Sequence, residues 1–421
     1  PVPRSGLFSE LEGDALPNIV EQIACTDYLN HVIIGLDRAD RDQYEYAFEF
    51  FTRLKQPFSI LWNNGPRLKA IQHELEDKGL GPTQAGKGRN VWYCIGMVNA
   101  RGKADAVGIH DCDVLTYDRR LLARLLYPVA NPNFSFEFCK GYYPRVADGK
   151  MNCRVNRLLV GPLLMALERV LGPSEYLTFM RGFHYLLAGE FSFRCSLIPE
   201  LRIPSDWGLE VGILSEMQRN QASARICQVD LANSYDHKHQ PLSPEDASAG
   251  LSRMSVDITK VLFRKLATKG HCFGQDTFRT IKATYYRKAL DMAAFYQSDA
   301  ELNGLSYDID IEERAIEMFA EDIMRAGDAF TYVPMETPFI PAWTRIKSAI
   351  PDWPTGLGRR SRRTIKNNGN GWPRANGLPS VSARVLPARA GSRLHRTDAA
   401  TLVPASARRY CRPRNPPPDR S

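Results

Sequence analysis

The chain has 421 residues, 43% of them hydrophobic and 24% charged, which is typical of a globular protein with a substantial core. It contains no run of about 18 apolar residues, which excludes a membrane-spanning helix of ordinary length. Residues 1–14 lack the basic and apolar regions of a secretory signal, so we expect a cytoplasmic protein with no membrane partner.

The formal net charge of +8 is concentrated at the C-terminus. Residues 351–421 contain 14 Arg and 1 Lys against 3 Asp, a net charge of +12, which leaves −4 for residues 1–350. The segment is rich in Pro, Gly, Ser and Arg without periodicity, so we predict a disordered tail. Its composition is also that of a GC-rich reading frame translated out of register, which would make it aberrant. We therefore expect no nucleic-acid partner.

The cysteines are scattered singly along the chain. The nine positions are 25, 94, 112, 139, 153, 195, 227, 272 and 411, with no Cys-x-x-Cys pair. An odd number at this spacing favours reduced thiols over disulfides or a zinc knuckle.

The first 80 residues alternate between predicted strands and helices. After an N-terminal segment, residues 1–30, β-rich runs occupy 31–36 and 58–62, and amphipathic helices follow at 44–54 and 68–77. This rhythm predicts a parallel sheet covered by helices on both faces.

A third predicted strand, residues 106–109, is followed by Asp111 and Asp113. Ligands of open α/β sheets bind at such strand ends. Two carboxylates there can hold Mg²⁺ or Mn²⁺ against the phosphates of a nucleotide. The pattern alone is weak, because Asp-x-Asp also occurs at residues 40–42 and 308–310. Loop capping is therefore an alternative to a metal or nucleotide site.

Two basic residues are candidates for binding phosphate groups. Lys87 lies between Gly86 and Gly88 ahead of a predicted helix, and these glycines would let its ammonium approach a diphosphate closely. Arg154, with Asn156 two residues later, precedes an apolar helix and could hold a small anion at the helix start. A solvated turn lysine and an arginine that braces the helix are the alternatives.

Two glutamates and one histidine are further candidates. Glu190 and Glu210 each lie near glycine among apolar neighbours, where a site carboxylate or an ion-pair partner is expected. A last strand is predicted at 228–231. His237 follows this strand and could close the metal site from a C-terminal loop, or could be a surface imidazole.

Residues 243–350 are predicted to form a helical region. Ser243 is suited to cap its first helix, and further helices are predicted at 277–295 and 311–325. The region contains no chemical motif, so its expected role is packing or subunit assembly.

The motifs are specific through their combined order. In chain order they are Gly86-Lys87-Gly88 with Trp92, Asp111-Cys112-Asp113, Lys140 with Tyr142 and Tyr143, Arg154-Val155-Asn156, and residues 187–190, 208–212 and 237–242. With this order the chain resembles the glucosyl-3-phosphoglycerate synthases, which are retaining GT-A glycosyltransferases of the cytoplasm. The resemblance implies a GT-A-type, Rossmann-like, mostly parallel sheet with flanking helices over residues 31–242. The helical region 243–350 and the tail 351–421 would follow it.

The resemblance also implies a role for individual residues. The nucleotide-sugar donor would be bound by Leu36, Asp37, Arg38, Asp40, Asn64, Lys87, Asp111, Cys112, Trp207, Gly208, Leu209 and Glu210. The acceptor, 3-phosphoglycerate, would be bound by Cys153, Arg154, Val155, Asn156, His239 and Gln240. Asp113 and His237 would ligate Mg²⁺ or Mn²⁺, Asp113 and Glu210 would be catalytic, and the chain would form a homodimer.

The chain departs from the family pattern at three places. Residues 152–156 read Asn-Cys-Arg-Val-Asn where the family commonly has Gly-Gly-Arg-Val-Thr, and residues 237–240 read His-Lys-His-Gln in place of His-Arg-Asn-Arg. The change at Gln240 removes one cation near the acceptor phosphate. Residues 36–40 also lack the usual Pro-x-x-Asn-Glu, which bears on the choice of base.

The implied reaction moves glucose from a nucleotide sugar to 3-phosphoglycerate, toward the compatible solute glucosylglycerate. No protein nucleophile is evident, so retention would follow from attack on the same face, with Glu210 as the candidate base. A mannosyl donor on the same fold is the nearest alternative. A nucleotidyltransferase is disfavoured because residues 37–42 contain no glycine, and a nucleic-acid-binding protein would depend on the Arg-rich tail.

Overall fold

The computed structural model describes residues 10–351 except 83, 145, 148, 233–249 and 334–338, and it has the predicted mixed α/β class. Its strands are β1 (Val32–Leu36), β2 (Phe58–Trp62), β3 (Ala106–Ile109), β4 (Phe138–Tyr142), β5 (Val146–Ala147), β6 (Lys150–Met151), β7 (Phe191–Arg194) and β8 (Ile226–Asp230).

The α-helices are α1 (Ala15–Ala24), α2 (Arg41–Phe51), α3 (Pro66–Glu76), α4 (Lys87–Arg101), α5 (Arg119–Ala130), α6 (Gly161–Leu171), α7 (Glu175–Arg181), α8 (Leu209–Asn220), α9 (Gly250–Ala267), α10 (Gln275–Leu302), α11 (Ile309–Tyr332) and α12 (Trp343–Ala349). A π-helical segment, Val155–Val160, leads directly into α6. The predicted C-terminal tail lies outside the described residues, apart from residue 351.

Polar caps fix the ends of several helices. Asp40 caps α2, because its carboxylate accepts a hydrogen bond from the Gln43 N–H and the Gln43 side chain accepts one from the Asp40 N–H. Asp118 caps α5 by accepting from the Arg120 N–H. Gly102 ends α4 in the left-handed region at φ 57°.

The strands form one parallel pair, one mixed sheet and one short hairpin. β1 pairs with β2 in parallel, and β5 pairs with β6 antiparallel. The mixed sheet has the order β3-β7-β4-β8, in which β4 and β8 are parallel and β7 runs antiparallel to both β3 and β4. β3, β4 and β8 therefore share one direction, and β7 is the reversed strand within a sheet predicted to be mostly parallel.

Several elements were not expected from the sequence. These are the reversed strand β7 and the helices α7, α8 and α12. Residues 208–212, one of the motifs that support the family resemblance, span the start of α8. The glycine at 212 serves close packing there, since a Cβ would lie 2.3 Å from Cδ of Pro204.

The helical region shares its hydrophobic core with the sheet. The larger core cluster joins Phe191 of β7 and Leu163 of α6 to Phe263, Phe278 and Phe319 of α9, α10 and α11. A second cluster lies around α1, β1, α2 and α5. The described residues of the predicted helical region 243–350 therefore pack into the core, while the predicted boundary at 242/243 lies outside the described residues.

Helix α12 is attached to α4 by an aromatic stack. The rings of Trp92 and Trp343 lie 4.1 Å apart at an interplanar angle of 16°. Trp92 also donates a hydrogen bond from Nε1 to the Pro341 carbonyl. Gly96 is required beneath this stack, because a Cβ there would lie 2.1 Å from the Trp343 ring. The end of the helical region is thereby fixed to the helix that begins at Lys87.

The cysteines within the described residues are all free thiols, as predicted. Among the same residues, the structure contains no helix that is both long and apolar enough to span a membrane.

Candidate functional site

A cleft gathers candidate residues from distant parts of the chain. The expected residues that line it are Lys87, Asp111, Asp113, Cys153, Arg154, Val155, Asn156, Trp207 and Glu210. Its empty space is about 1080 Å³ when counted out to solvent.

Lys87 lies at the centre of the charged side of the cleft. Its Nζ is 2.7 Å from Oδ1 of Asp111 and 2.8 Å from Oε1 of Glu210. Burial alone would lower the pKa of Lys87, but the two carboxylates outweigh burial and raise this pKa well above its ordinary value. Lys87 is therefore a fixed positive charge, and the solvated turn lysine considered from the sequence is not what the structure contains.

The glycines beside Lys87 are needed for contact with protein backbone. A Cβ on Gly88 would lie 1.9 Å from the Pro204 carbonyl oxygen, and one on Gly86 would lie 2.5 Å from the carbonyl oxygen of Ser205. The Arg89 N–H also donates to the Ser205 carbonyl. These contacts bring the first turn of α4 against the segment that precedes Trp207. From the sequence, these glycines had been interpreted as allowing the Lys87 ammonium to approach a diphosphate.

Asp111 and Asp113 follow β3 and both line the cleft. Burial and the neighbouring Asp111 carboxylate raise the pKa of Asp113 to about 7. Two carboxylates held this close repel each other, and a divalent cation would relieve that repulsion while using the oxygen ligands it prefers. Among the described residues no group of three or more potential metal ligands occurs. The two carboxylates thus fit a cation that also takes ligands from elsewhere.

Glu190 fixes the backbone beneath the Asp-x-Asp segment. Its side chain is fully buried, with Oε2 accepting a hydrogen bond from the Tyr143 hydroxyl at 2.9 Å and Oε1 accepting one from the Asp111 N–H at 3.5 Å. The Gly141 N–H donates to its carbonyl. Glu190 therefore contacts the backbone of Asp111 and the side chain of Tyr143, and both of these residues line the cleft.

Lys140 contacts the segment of residues 188–190, which includes Glu190. Its ammonium is buried and donates to the Ala188 carbonyl. Burial lowers the pKa of Lys140 to about 8. The adjacent Gly189 presses against the carboxylate of Asp111, because a Cβ at 189 would lie 2.2 Å from Oδ2. Residues 188–190 thus set the position of Asp111 by direct contact.

Four of the residues expected to bind the acceptor, Cys153 to Asn156, also line the cleft. Cys153 has a positive φ of 76°, a conformation that glycine adopts more easily. Arg154 precedes the π-helical segment that leads into α6. Its Nε lies 2.7 Å from Oε1 of Glu312 on α11. The helix start predicted from the sequence is present, and the guanidinium beside it is held by an acid from the helical region.

The segment before α8 packs against α9. Asp206 is buried and accepts a hydrogen bond from the Gly208 N–H at 2.9 Å. Burial and the neighbouring Asp257 raise the pKa of Asp206 to about 6. A Cβ at Gly208 would lie 2.3 Å from Cγ2 of Val261. Trp207 lines the cleft, whereas Gly208 and the buried Leu209 are not among its lining residues.

Comparison with known proteins decides the family. No protein-family model matches the chain. Glucosyl-3-phosphoglycerate synthase of Persephonella marina is 40% identical over 346 residues, 82% of this chain and 85% of the relative. The enzyme of that name from Methanococcoides burtonii is 38% identical over 350 residues, again 82% and 85%. The chain belongs to the glucosyl-3-phosphoglycerate synthase family.

A solved structure is also similar, at greater distance. The glucosyl-3-phosphoglycerate synthase of Mycobacterium tuberculosis, crystallised with Mn²⁺, UDP-glucose and phosphoglyceric acid, is 19% identical with a TM-score of 0.43. The match covers 62% of this chain and 82% of that one.

Other predicted donor residues of this family member lie around the ends of β1 and β2, and they are not among the residues that line the cleft. Leu36 is fully buried. Asp37 accepts hydrogen bonds at Oδ1 from Arg89 Nη2 at 2.9 Å and from Asn63 Nδ2 at 3.1 Å. Arg89 follows Lys87 by two residues, so α4 links Asp37 to the charged centre.

The same strand ends place Arg38 and Asn64 in contact. Arg38 has a φ of 56°, and its N–H donates to Oδ1 of Asn64 at 2.8 Å. The carboxylate of Asp40 is occupied in capping α2.

Cys112 lies between Asp111 and Asp113, and burial raises the pKa of its thiol. His237, His239 and Gln240 lie outside the described residues.

The sequence missed several lining residues. Tyr185 and Asn152 line the cleft, as do Leu251, Met254 and Ile258, and Tyr143, which was noted only as part of a motif, lines it too. Leu251, Met254 and Ile258 recur at helical spacing, and they lie on α9. A periodic apolar stripe signals burial but does not say against what, which is why the cleft role was not foreseen.

Proposed function

We propose that this protein transfers glucose from a nucleotide sugar to 3-phosphoglycerate, giving glucosyl-3-phosphoglycerate for synthesis of the compatible solute glucosylglycerate. Membership of the family supports the proposal. The observation that carries it is that one cleft is lined both by Asp111, Asp113 and Lys87 and by Arg154 and Asn156. Such a cleft can bring a diphosphate leaving group and an anionic acceptor together.

On the donor side, Asp111 and Asp113 are proposed to hold Mg²⁺ or Mn²⁺, with His237 as a further ligand. The bound cation would stabilise the negative charge of the departing nucleoside diphosphate. Lys87 would contribute its ammonium to the same phosphates. Its two carboxylate partners keep the side chain extended into the cleft before the donor binds.

The remaining donor contacts are proposed from the family resemblance. Residues 36–38, Asp40 and Asn64 would face the base and ribose, with Cys112 beside them. Residues 207–210 would bind the sugar. The capping role of Asp40 leaves its carboxylate engaged with Gln43, so its backbone is the part better placed to contact a nucleotide.

On the acceptor side, Arg154 would pair with a carboxylate or phosphate oxygen, and Asn156 would donate a hydrogen bond from its amide. Cys153 and Val155 would contribute backbone, with His239 and Gln240 completing the subsite. Two amides, of Asn152 and Asn156, line the cleft near Arg154. They supply uncharged donors where the family pattern has Gly and Thr.

Glu210 is proposed as the catalytic carboxylate. Its side chain is buried, and the Lys87 ammonium lies 2.8 Å from its Oε1. A carboxylate at this position would accept the proton of an acceptor hydroxyl that attacks from the face of the leaving group. Retention of configuration is the expected stereochemical outcome.

A homodimer and a cytoplasmic location remain predictions from the resemblance. The alternative functions differ in what they require of the chain. A mannosyl donor would change only the sugar subsite. A nucleic-acid-binding function would reside in the Arg-rich tail, so removal of residues 352–421 would abolish it while leaving sugar transfer intact.

The test is turnover of the full chain with 3-phosphoglycerate and Mg²⁺, using UDP-, GDP- and ADP-glucose and GDP-mannose as donors. We expect product with a glucose donor and loss of product in Asp113→Ala. Asn133→Ala, at an exposed turn away from the cleft, serves as the matched control. Product only with GDP-mannose would favour the mannosyl alternative, and a folded protein inactive with every donor would refute the proposal.

A further inference from the structure

A buried acid of the helical region contacts the arginine proposed to bind the acceptor. Glu312, in the first turn of α11, has a side chain that is only 4% exposed. Its Oε1 lies 2.7 Å from Nε of Arg154, and its Oε2 lies 2.8 Å from Nη2 of Arg157. More than 150 residues separate the acid from both arginines. One carboxylate thus joins α11 to the segment that begins α6.

The two arginines differ in what else holds them. Arg157 is buried and donates to the carbonyls of Asn152 and Met151. Its guanidinium lies over the Tyr296 ring, 4.9 Å from the ring centroid. Arg157 is therefore fixed by several groups besides Glu312, and it anchors the carboxylate in return.

Arg154 is the more exposed partner and lines the cleft. Its side chain is 35% exposed, and among the described residues its one hydrogen-bonded contact is Nε to Glu312. That contact uses Nε, and the two terminal nitrogens of Arg154, Nη1 and Nη2, are the ones that would bind an anion. Glu312 itself does not line the cleft, and of the two arginines that it contacts only Arg154 does.

We propose that Glu312 is a positioning residue for the acceptor subsite: it orders the Arg154 guanidinium in the cleft before 3-phosphoglycerate binds. This inference rests on the proposed function. Immobilising a long side chain costs about 0.5 to 1.5 kcal/mol on binding. When Glu312 has already ordered Arg154, acceptor binding does not bear that cost, and the helical region becomes part of the acceptor site.

The test is the acceptor KM of Glu312→Gln, which keeps the shape of the side chain and removes its charge. We expect the KM for 3-phosphoglycerate to rise about 2- to 10-fold. The KM for the donor and kcat should stay within about twofold, as expected when the ground state and the transition state lose the same binding interaction. Glu312→Asp, which keeps the charge with a shorter reach, should give an intermediate KM and preserve folding if the Gln variant does not fold.

A double-mutant cycle with Arg154→Met separates positioning from a structural role. If Glu312 acts through Arg154, Glu312→Gln will not raise the acceptor KM further in the Arg154→Met background. An equal further rise in that background would overturn the inference. Asp322→Asn is the matched control, since Asp322 is a buried acid of the same helix that pairs with Arg325. It should lower stability without changing the acceptor KM.

Calorimetric binding of 3-phosphoglycerate distinguishes failure of this inference from failure of the proposed function. A wild-type protein that neither binds nor glucosylates 3-phosphoglycerate would overturn both. Wild-type turnover with an unchanged acceptor KM in both Glu312 variants would overturn the positioning role alone.

Discussion

Replacement of Lys87 by Met should destabilise the protein in a way that Mn²⁺ reverses. Lys87 neutralises Asp111 and Glu210 at 2.7 and 2.8 Å. Removing one partner of a buried pair costs about 3 to 5 kcal/mol, because a buried charge loses its counter-charge. Only Glu210 is fully buried here, with its side chain 6% exposed against 36% for Asp111. We therefore expect a loss near the lower end, about 3 kcal/mol in the free energy of unfolding.

Mn²⁺ should restore much of this loss, because a cation held by Asp111 and Asp113 replaces the missing positive charge. A ligand at about 100 times its Kd stabilises a protein by about 2.7 kcal/mol. Removal of the ammonium should also tighten Mn²⁺ binding, so the stabilisation by a fixed Mn²⁺ concentration should be larger in the variant than in the wild type. Turnover should nevertheless fall, since the ammonium proposed to contact the donor phosphates is lost.

The assay is urea unfolding of wild type and variant with and without Mn²⁺. Lys265→Met is the matched control, because Lys265 pairs with the buried Glu216 at 2.7 Å and neither residue lines the cleft. That variant should lose stability without any extra rescue by Mn²⁺. If Mn²⁺ stabilises Lys87→Met no more than it stabilises Lys265→Met, the ammonium is not the electrostatic neighbour of the cation site.

Three further substitutions test the supports of the fold and site. Gly96→Ala should lower the free energy of unfolding by about 1 to 3 kcal/mol, because the added Cβ would displace the Trp343 ring. Thermal unfolding measures the loss of stability, and tryptophan fluorescence reports the displaced ring. An unchanged fluorescence spectrum would contradict the stack. Tyr143→Phe should cost about 1.5 to 3 kcal/mol, because Glu190 loses a charge-assisted donor, and equal stability in urea would show that Glu190 does not need it. Burial lowers the pKa of His31 from 6.5 to about 4. The unfolded chain therefore binds a proton at His31 more readily than the folded protein does, and the protein loses stability as pH falls from about 6.5 to about 4. His31→Gln should weaken this pH dependence, as followed by unfolding at pH 4 to 7, and identical slopes would exclude the histidine.

Local patterns were sufficient to locate the first strands. The apolar runs that became β1, β2 and β3 are bounded by charged or turn-forming residues, so the predicted bounds 31–36, 58–62 and 106–109 match the structure within one residue. Asp111 and Asp113 could be placed at a strand end for the same reason. These features depend on residues close in sequence, which is the information that a single chain contains.

Features that depend on distant residues were not predictable. The four residues of β7 carry no mark that they insert antiparallel between β3 and β4. Gly86 and Gly88 were explained by a ligand, yet the groups they admit are backbone atoms of Pro204 and Ser205, more than 110 residues away. Glycine in a sequence reports that something approaches closely, and only the fold identifies what approaches.

The helical region illustrates the same limit at the level of function. It contains no chemical motif, but it supplies α9 as an apolar wall of the cleft and Glu312 as a partner of Arg154. The larger core runs through both parts of the chain, so the orientation of these groups is set by packing and does not rest on a flexible connection. The acceptor side of the cleft is therefore built at the contact between the sheet-bearing part and the helical part. A sequence change at that contact can alter acceptor binding without touching a recognisable motif.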